Sequence, residues 1–192
     1  MNSYHIINDT PYGFEFHEQT NSQLKAFERW FYQNKEHRLE ELQKEYDRVI
    51  GGHLDFSVES LLNLGKFMHR DITTVPLSEE KYAAITEGLP EGIYVPDYDI
   101  SIKSRSLVID IAIYFGEVFL RSHPKLSWVQ NKSKTGNRGF MDIRINDGFA
   151  PNFSPIRVIL VAAAKVANGT FADDYLLKLY DIYDGKISKN YR

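Results

Sequence analysis

An α+β domain, mainly helical with a small antiparallel hairpin packed on the helices, is the fold class this sequence predicts. Three observations carry that expectation. Long stretches with apolar residues at helical spacing, bounded by capping residues, occupy most of the chain. Two short alternating stretches, Leu126–Gln130 and residues 140–145, are joined by a loop containing Gly136 and Gly139. Helices stand before and after that pair, an order that suits segregated helices and strands better than alternating βαβ units. With 192 residues, 43% apolar and 26% charged, the chain has the size and composition to bury one sizeable core. A single domain over residues 1–192 is expected, with a helical half over about 1–90 and a helix–hairpin–helix half over about 100–185.

From the N-terminus, Tyr12, Phe14 and Phe16 alternate with polar neighbours and predict a short strand. Thr20 with Gln23 forms a capping-box pattern that opens a long helix reaching about Ile50. Its apolar positions include Leu24, Phe27, Trp30, Phe31, Leu42 and Tyr46, but residues 34–38 are entirely polar. Gly51 and Gly52 stop it. Ser57 is the expected N-cap of a second helix, with Phe56 stapled onto Leu61 and an apolar face of Leu62, Leu64, Phe67 and Met68. Ser78 followed by Glu79 and Glu80 opens a short third helix, since carboxylates suit the positive helix end, and Gly88 and Pro90 close it. Residues 89–103 read as a loop with extended pieces, too apolar to be a linker between domains.

The second half is more sharply patterned. Residues 104–122 predict a strongly apolar helix with Leu107, Ile111, Phe115, Val118 and Phe119 on its buried side. In the second strand Met141, Ile143 and Ile145 alternate with Asp142, Arg144 and Asn146. Ser154 and Pro155 open a further helix, because proline suits the first helical position, and Asn168-Gly169 ends it. Thr170 with Asp173 is expected to open the last helix, and Asp184-Gly185 to close it.

Composition excludes several function classes. There is no cysteine, so disulfides, thiolate metal sites and a cysteine nucleophile are ruled out. The first residues lack a basic start followed by an apolar run, so no signal peptide is expected, and a cytoplasmic protein is. The most apolar run, residues 106–120, is shorter than the roughly 20 residues that span a bilayer. A net charge of −3 with interspersed signs argues against nucleic-acid binding, which relies on clustered Lys and Arg. The basic spots at residues 132–138 and 186–192 read as solvated loop and tail.

Catalytic motifs are equally sparse. His69-Arg70-Asp71 copies a kinase catalytic-loop tripeptide, but Pro76 stands where that chemistry needs an asparagine. The six histidines show no paired spacing suited to one metal. No phosphate loop, dinucleotide fingerprint or nucleophile elbow occurs. No residue is therefore assigned to catalysis, to a metal or to a cofactor.

One constellation stands out. Asp110, Tyr114, Glu117 and Arg121 follow each other at spacings of 4, 3 and 4 and so share one stripe of the apolar helix. Carboxylates in such surroundings are costly if buried without partners. The plainest reading is a solvated helix side on which Glu117 pairs with Arg121; a sharper one is a binding surface for another protein, and a third is a pair of catalytic carboxylates. Gly116 beside them sits mid-helix, where it costs up to about 1 kcal/mol relative to alanine. Another backbone, or an aromatic such as Trp128, packing closely against it would account for the glycine.

The stretch carrying Asp110, Tyr114, Gly116, Glu117 and, on the following strand, Trp128 resembles a pattern in small uncharacterised bacterial proteins. There an apolar helix with a Tyr-x-Gly-Glu core precedes a short Trp-bearing strand. Some such proteins are similar to immunity proteins encoded beside polymorphic toxins. The resemblance implies a fold relation and carries no catalytic residue. Together these features favour a non-enzymatic protein-binding module of a bacterial cell, an immunity factor neutralising a toxin, with Asp110, Tyr114, Glu117, Arg121 and Trp128 as candidate binding residues. The alternatives are a hydrolase with a dispersed carboxylate and histidine site, and a structural component of a prophage or secretion assembly.

Overall fold

A computed structural model describes residues 4–8, 19–132, 139–145 and 153–190. Among the described residues, six helices and two small antiparallel sheets make a mainly helical α+β architecture. The helices are α1 (Asn21–Val49), α2 (Ser60–Asp71), α3 (Glu79–Thr86), α4 (Ile102–Ser122), α5 (Pro155–Ala167) and α6 (Tyr175–Asn190). Strands β1 (Thr74–Pro76) and β2 (Tyr98–Ile100) pair in one sheet, and β3 (Leu126–Gln130) and β4 (Met141–Ile145) in the other. The strand expected around Tyr12, Phe14 and Phe16 lies outside the described residues, as does most of the basic spot at 132–138.

α4 is the axis of the molecule. Every residue from 106 to 119 except Glu117 is buried, so the helix is covered on all sides and not along a single stripe. α5, α1, α2 and β3 pack around it. Residues of both halves of the chain, among them Phe27, Phe67, Phe115 and Ile159, join one apolar cluster. α4 begins slightly before the sequence expectation, at a Ser101 N-cap whose hydroxyl accepts the Ser104 N–H at 3.2 Å.

α1 starts where its capping box predicts. Thr20 accepts the Gln23 N–H while the Gln23 side chain accepts the Thr20 N–H. Two other boundaries differ from the sequence reading. α2 opens at Ser60, with Ser57 accepting the Ser60 N–H at 3.1 Å. Phe56, which was expected to staple α2, stacks instead on Tyr114 of α4 with ring centres 4.5 Å apart. α6 opens at Tyr175 and continues through Gly185. The Thr170 hydroxyl turns back to Asn168, donating to its side chain at 2.5 Å, and so closes the turn after α5.

The β3–β4 register places Trp128 opposite Ile143, and Phe153 bridges to the outer side of Ile143. Asp142, which alternates with Met141 and Ile143 in β4, is buried as they are, with Asn131 donating to it at 2.9 Å and Arg144 at 3.2 Å. The hairpin is fastened to α1 by Gln130, which donates to the Leu24 carbonyl at 2.6 Å, and by Tyr32, which donates to the Trp128 carbonyl at 2.8 Å.

Gly116 is explained by the ring that covers it. A Cβ built there would stand 2.2 Å from the Trp128 indole and 3.1 Å from Ile143. Gly65 plays the same part between α2 and the turn before α6, where a Cβ would meet the Asp173 carbonyl at 2.0 Å. Gly116→Ala is expected to lower stability by about 1–3 kcal/mol through overpacking, outweighing the up to ~1 kcal/mol by which alanine favours a helix. Urea unfolding followed by tryptophan fluorescence tests this, and an unchanged midpoint would show that the Trp128 ring moves aside freely.

Candidate functional site

The polar stripe of α4 meets the polar middle of α1. The helices run antiparallel, as their ion pairs show: Lys35 with Glu117, Arg38 with Asp110 and Glu45 with Lys103. Arg38 grips Asp110 with both prongs of its guanidinium, Nε to Oδ1 at 2.7 Å and Nη2 to Oδ2 at 2.6 Å. Side-chain exposure is 4% for Arg38 and 0% for Asp110, so the pair is taken out of water and bidentate geometry is what makes it tolerable. The Tyr4 hydroxyl accepts from Arg38 Nη2 at 2.7 Å and donates to Asp110 Oδ2.

That cluster also ties down the N-terminal segment. Arg38 Nη1 donates to the His5 carbonyl at 2.8 Å, the His5 N–H donates to Glu41 at 3.0 Å, and the Ile7 N–H donates to Ser106 at 3.0 Å. Backbone groups of residues 4–8 are thus satisfied by side chains of α1 and α4, which burial of Ile7 requires. Burial pushes the Asp110 carboxyl up to about 6, against the pull of Arg38 and Tyr4. The Tyr4 hydroxyl is raised by burial and by the Asp110 charge.

The remaining stripe residues are engaged one by one. Glu117 accepts from Lys35 at 2.6 Å and from the Trp128 indole N–H at 2.8 Å. The expected Glu117–Arg121 pair therefore gives way to contacts with a lysine and an indole, both better placed and less exposed. Tyr114 accepts the Phe56 N–H at 2.6 Å and shares a 2.7 Å hydrogen bond with Ser60, which itself donates to the Ser57 carbonyl at 2.6 Å. The hydroxyl chain fixes its own polarity: Tyr114 must donate to Ser60. Phe56 holds a left-handed φ of 61°, uncommon for a bulky residue, and is clamped between the Tyr114 ring and the Arg121 guanidinium 3.6 Å from its centre.

Asp110, Tyr114 and Trp128 are buried, so the reading of the stripe as a solvated helix side does not hold. Arg121 alone among the five candidate residues is exposed. It lines a cleft of about 440 Å3 together with Leu39, Leu54, Phe56, Tyr114 and the polar residues Glu36 and His53. The sequence reading missed Arg38, Lys35 and Tyr4, the partners that make the stripe neutral. Among the described residues, no group of three or more His, Asp and Glu is arranged to hold a metal ion. His69 and His123 pair instead with Asp173 at 2.9 Å and Asp184 at 2.7 Å, one aspartate each. No family model, curated protein or solved structure matches this chain.

Removing one member of the Arg38–Asp110 pair strands a buried charge. Arg38→Met or Asp110→Leu alone is expected to cost about 3–5 kcal/mol, and the two together to restore most of the loss. A double-mutant cycle in urea measures the coupling, and simple additivity would contradict it. Glu45 supplies a pH dependence. Hydrogen bonds from Arg48, and then from Lys103, hold its carboxyl at about 2, below the ordinary 4.5. Its folded-state pKa is depressed, so the stability it adds is present above about pH 4.5 and is lost as pH falls towards 2. The stability gap between wild type and Glu45→Gln should be ~2 kcal/mol at neutral pH and close to nothing at the acid end. A gap independent of pH would contradict the assignment.

Proposed function

We propose that this chain is a protein-binding module without catalytic activity, and that it serves as an immunity factor neutralising a toxin in the bacterial cytoplasm. One observation carries the reading. Between α2 and α4 the chain makes an excursion, residues 73–101, that is folded into β1, α3 and β2 yet contains no buried residue. A folded segment that reaches the core only at its edge, through Ile100, while showing large apolar side chains, has the character of a contact surface.

The resemblance to immunity-type proteins lends support of a different kind. Its motif residues form one packing unit, with Trp128 on Gly116 and hydrogen-bonded to Glu117, so the motif describes how a helix and a strand are joined. The hydrolase reading is weakened by the same geometry, since Asp110 and Glu117 are committed to Arg38, Lys35 and Trp128. General acid or base work needs a group free to exchange its proton with a substrate.

The tagged chain, recovered from its source cells at native level, should co-elute with one protein in stoichiometric amount and show no turnover of ester, phosphoester or peptide substrates. Recovery of the chain alone, together with turnover abolished by Glu117→Gln in a variant whose unfolding midpoint matches wild type, would overturn the proposal in favour of the hydrolase.

A further inference from the structure

We infer that the excursion of residues 73–101 is a docking surface for a basic protein, an inference that rests on the protein-binding reading above. Six of the eleven large apolar residues most exposed among the described residues fall within it: Val75, Tyr82, Ile85, Leu89, Ile93 and Tyr94. Tyr94 is 80% exposed and Ile93 57%. Tyr82 and Ile85 stand three residues apart and so lie on one side of α3, and Leu89 follows just past its end. An eight-residue helix is marginal by itself in water, and none of the residues of α3 is buried.

Ile100 of β2 rests on the edge of the core, and local devices hold the rest of the excursion in shape. Ser78 caps α3, and Lys81 donates to Asp99 of β2 at 2.8 Å. Asp99 also pairs with Arg105 of α4. At the base, the Thr73 N–H donates to the Ser104 hydroxyl at 2.8 Å, and the Ser101 N–H to the Thr73 carbonyl at 3.0 Å. The surface is therefore presented on a fixed footing while its apolar side faces outward.

Charge selects the occupant. Glu79, Glu80, Glu87, Glu91, Asp97 and Asp99 stand against the single Lys81, a formal charge of −5 in a chain whose total is −3. A second copy would bring the same charge to the contact and be repelled. Nucleic acid and anionic membrane surfaces are disfavoured by the same sign. A protein with a basic rim around an apolar patch is complementary to both features. Strand addition is not the mode, because β1 and β2 are three residues each and β1 ends in Pro76, which has no N–H to offer.

The test places a photo-crosslinking benzoylphenylalanine at Tyr94 of the full chain in its source cells, with the same group at Ile182, an exposed position of α6, as reference. The expected result is a crosslink at 94, absent at 182, to one protein with an isoelectric point above about 9. That adduct should fall at least roughly tenfold in Glu87→Lys/Glu91→Lys/Asp97→Lys, whose three positions lie outside α3, and at raised salt. Since these side chains are all exposed, the variant's unfolding midpoint should match wild type and so exclude misfolding as the cause. A crosslink to a second copy or to an acidic protein, or one indifferent to the charge reversal, overturns the inference. A partner crosslinked at 182 and not at 94 overturns it too but leaves the protein-binding reading standing. No protein adduct at either position, with no co-eluting partner, removes both.

Discussion

The structure depends on how a helix that is buried on all sides accommodates two carboxylates. α4 cannot turn Asp110 or Glu117 to water without withdrawing part of the apolar surface that organises the core. An unpaired carboxylate at Asp110 would cost several kcal/mol. The solution lies in α1, whose polar middle reads in isolation as a flaw in an amphipathic helix. Lys35 and Arg38 stand there at the heights where antiparallel packing brings Glu117 and Asp110. The gap in the apolar pattern of one helix and the charges in the other are a single feature.

Much of this was legible in the residues. The capping box at Thr20, the apolar character of α4, the β3–β4 pair and the reason for a glycine at 116 all follow from local rules, because each is decided by neighbours in sequence or by one bulky contact. The partners of the stripe were not legible in the same way. Period and spacing show that Asp110, Tyr114, Glu117 and Arg121 share a side of a helix, but not what the side faces. A signal was nevertheless present. Read from its N-terminus, α1 carries basic, basic and acidic residues at 35, 38 and 45, and α4 carries basic, acidic and acidic residues at 103, 110 and 117. Reversing one series makes the two complementary, which is what an antiparallel pair requires.

The exposure of the excursion was not legible for a different reason, although its short helix was expected. Ile85, Leu89, Ile93 and Tyr94 look like core residues in a sequence, since composition cannot distinguish an apolar residue that is buried from one that awaits a partner. β1 and β2 were hidden because three residues are too few to show alternation. The burial of Asp142 was not legible either, because alternation shows which residues share a side of β4 and not what covers that side.

The buried pair and the exposed surface are connected through register. A slip of α1 along α4 by one turn, about 5.4 Å, would carry Arg38 away from Asp110 and leave both charges in apolar surroundings. Many apolar contacts would tolerate such a slip, because methyl groups pack acceptably in several arrangements. The ion pairs do not, so they select one register even where their net contribution to stability is small. That register sets the position of the N-terminal turn of α4, where Lys103 meets Glu45 and where Ser101 and Ser104 hold Thr73 at the foot of the excursion. The interior charges therefore need not touch a partner to matter for binding one. They determine where the apolar, acidic surface is presented, and a substitution at Asp110 would reach a partner through the placement of α4, not through any contact of its own.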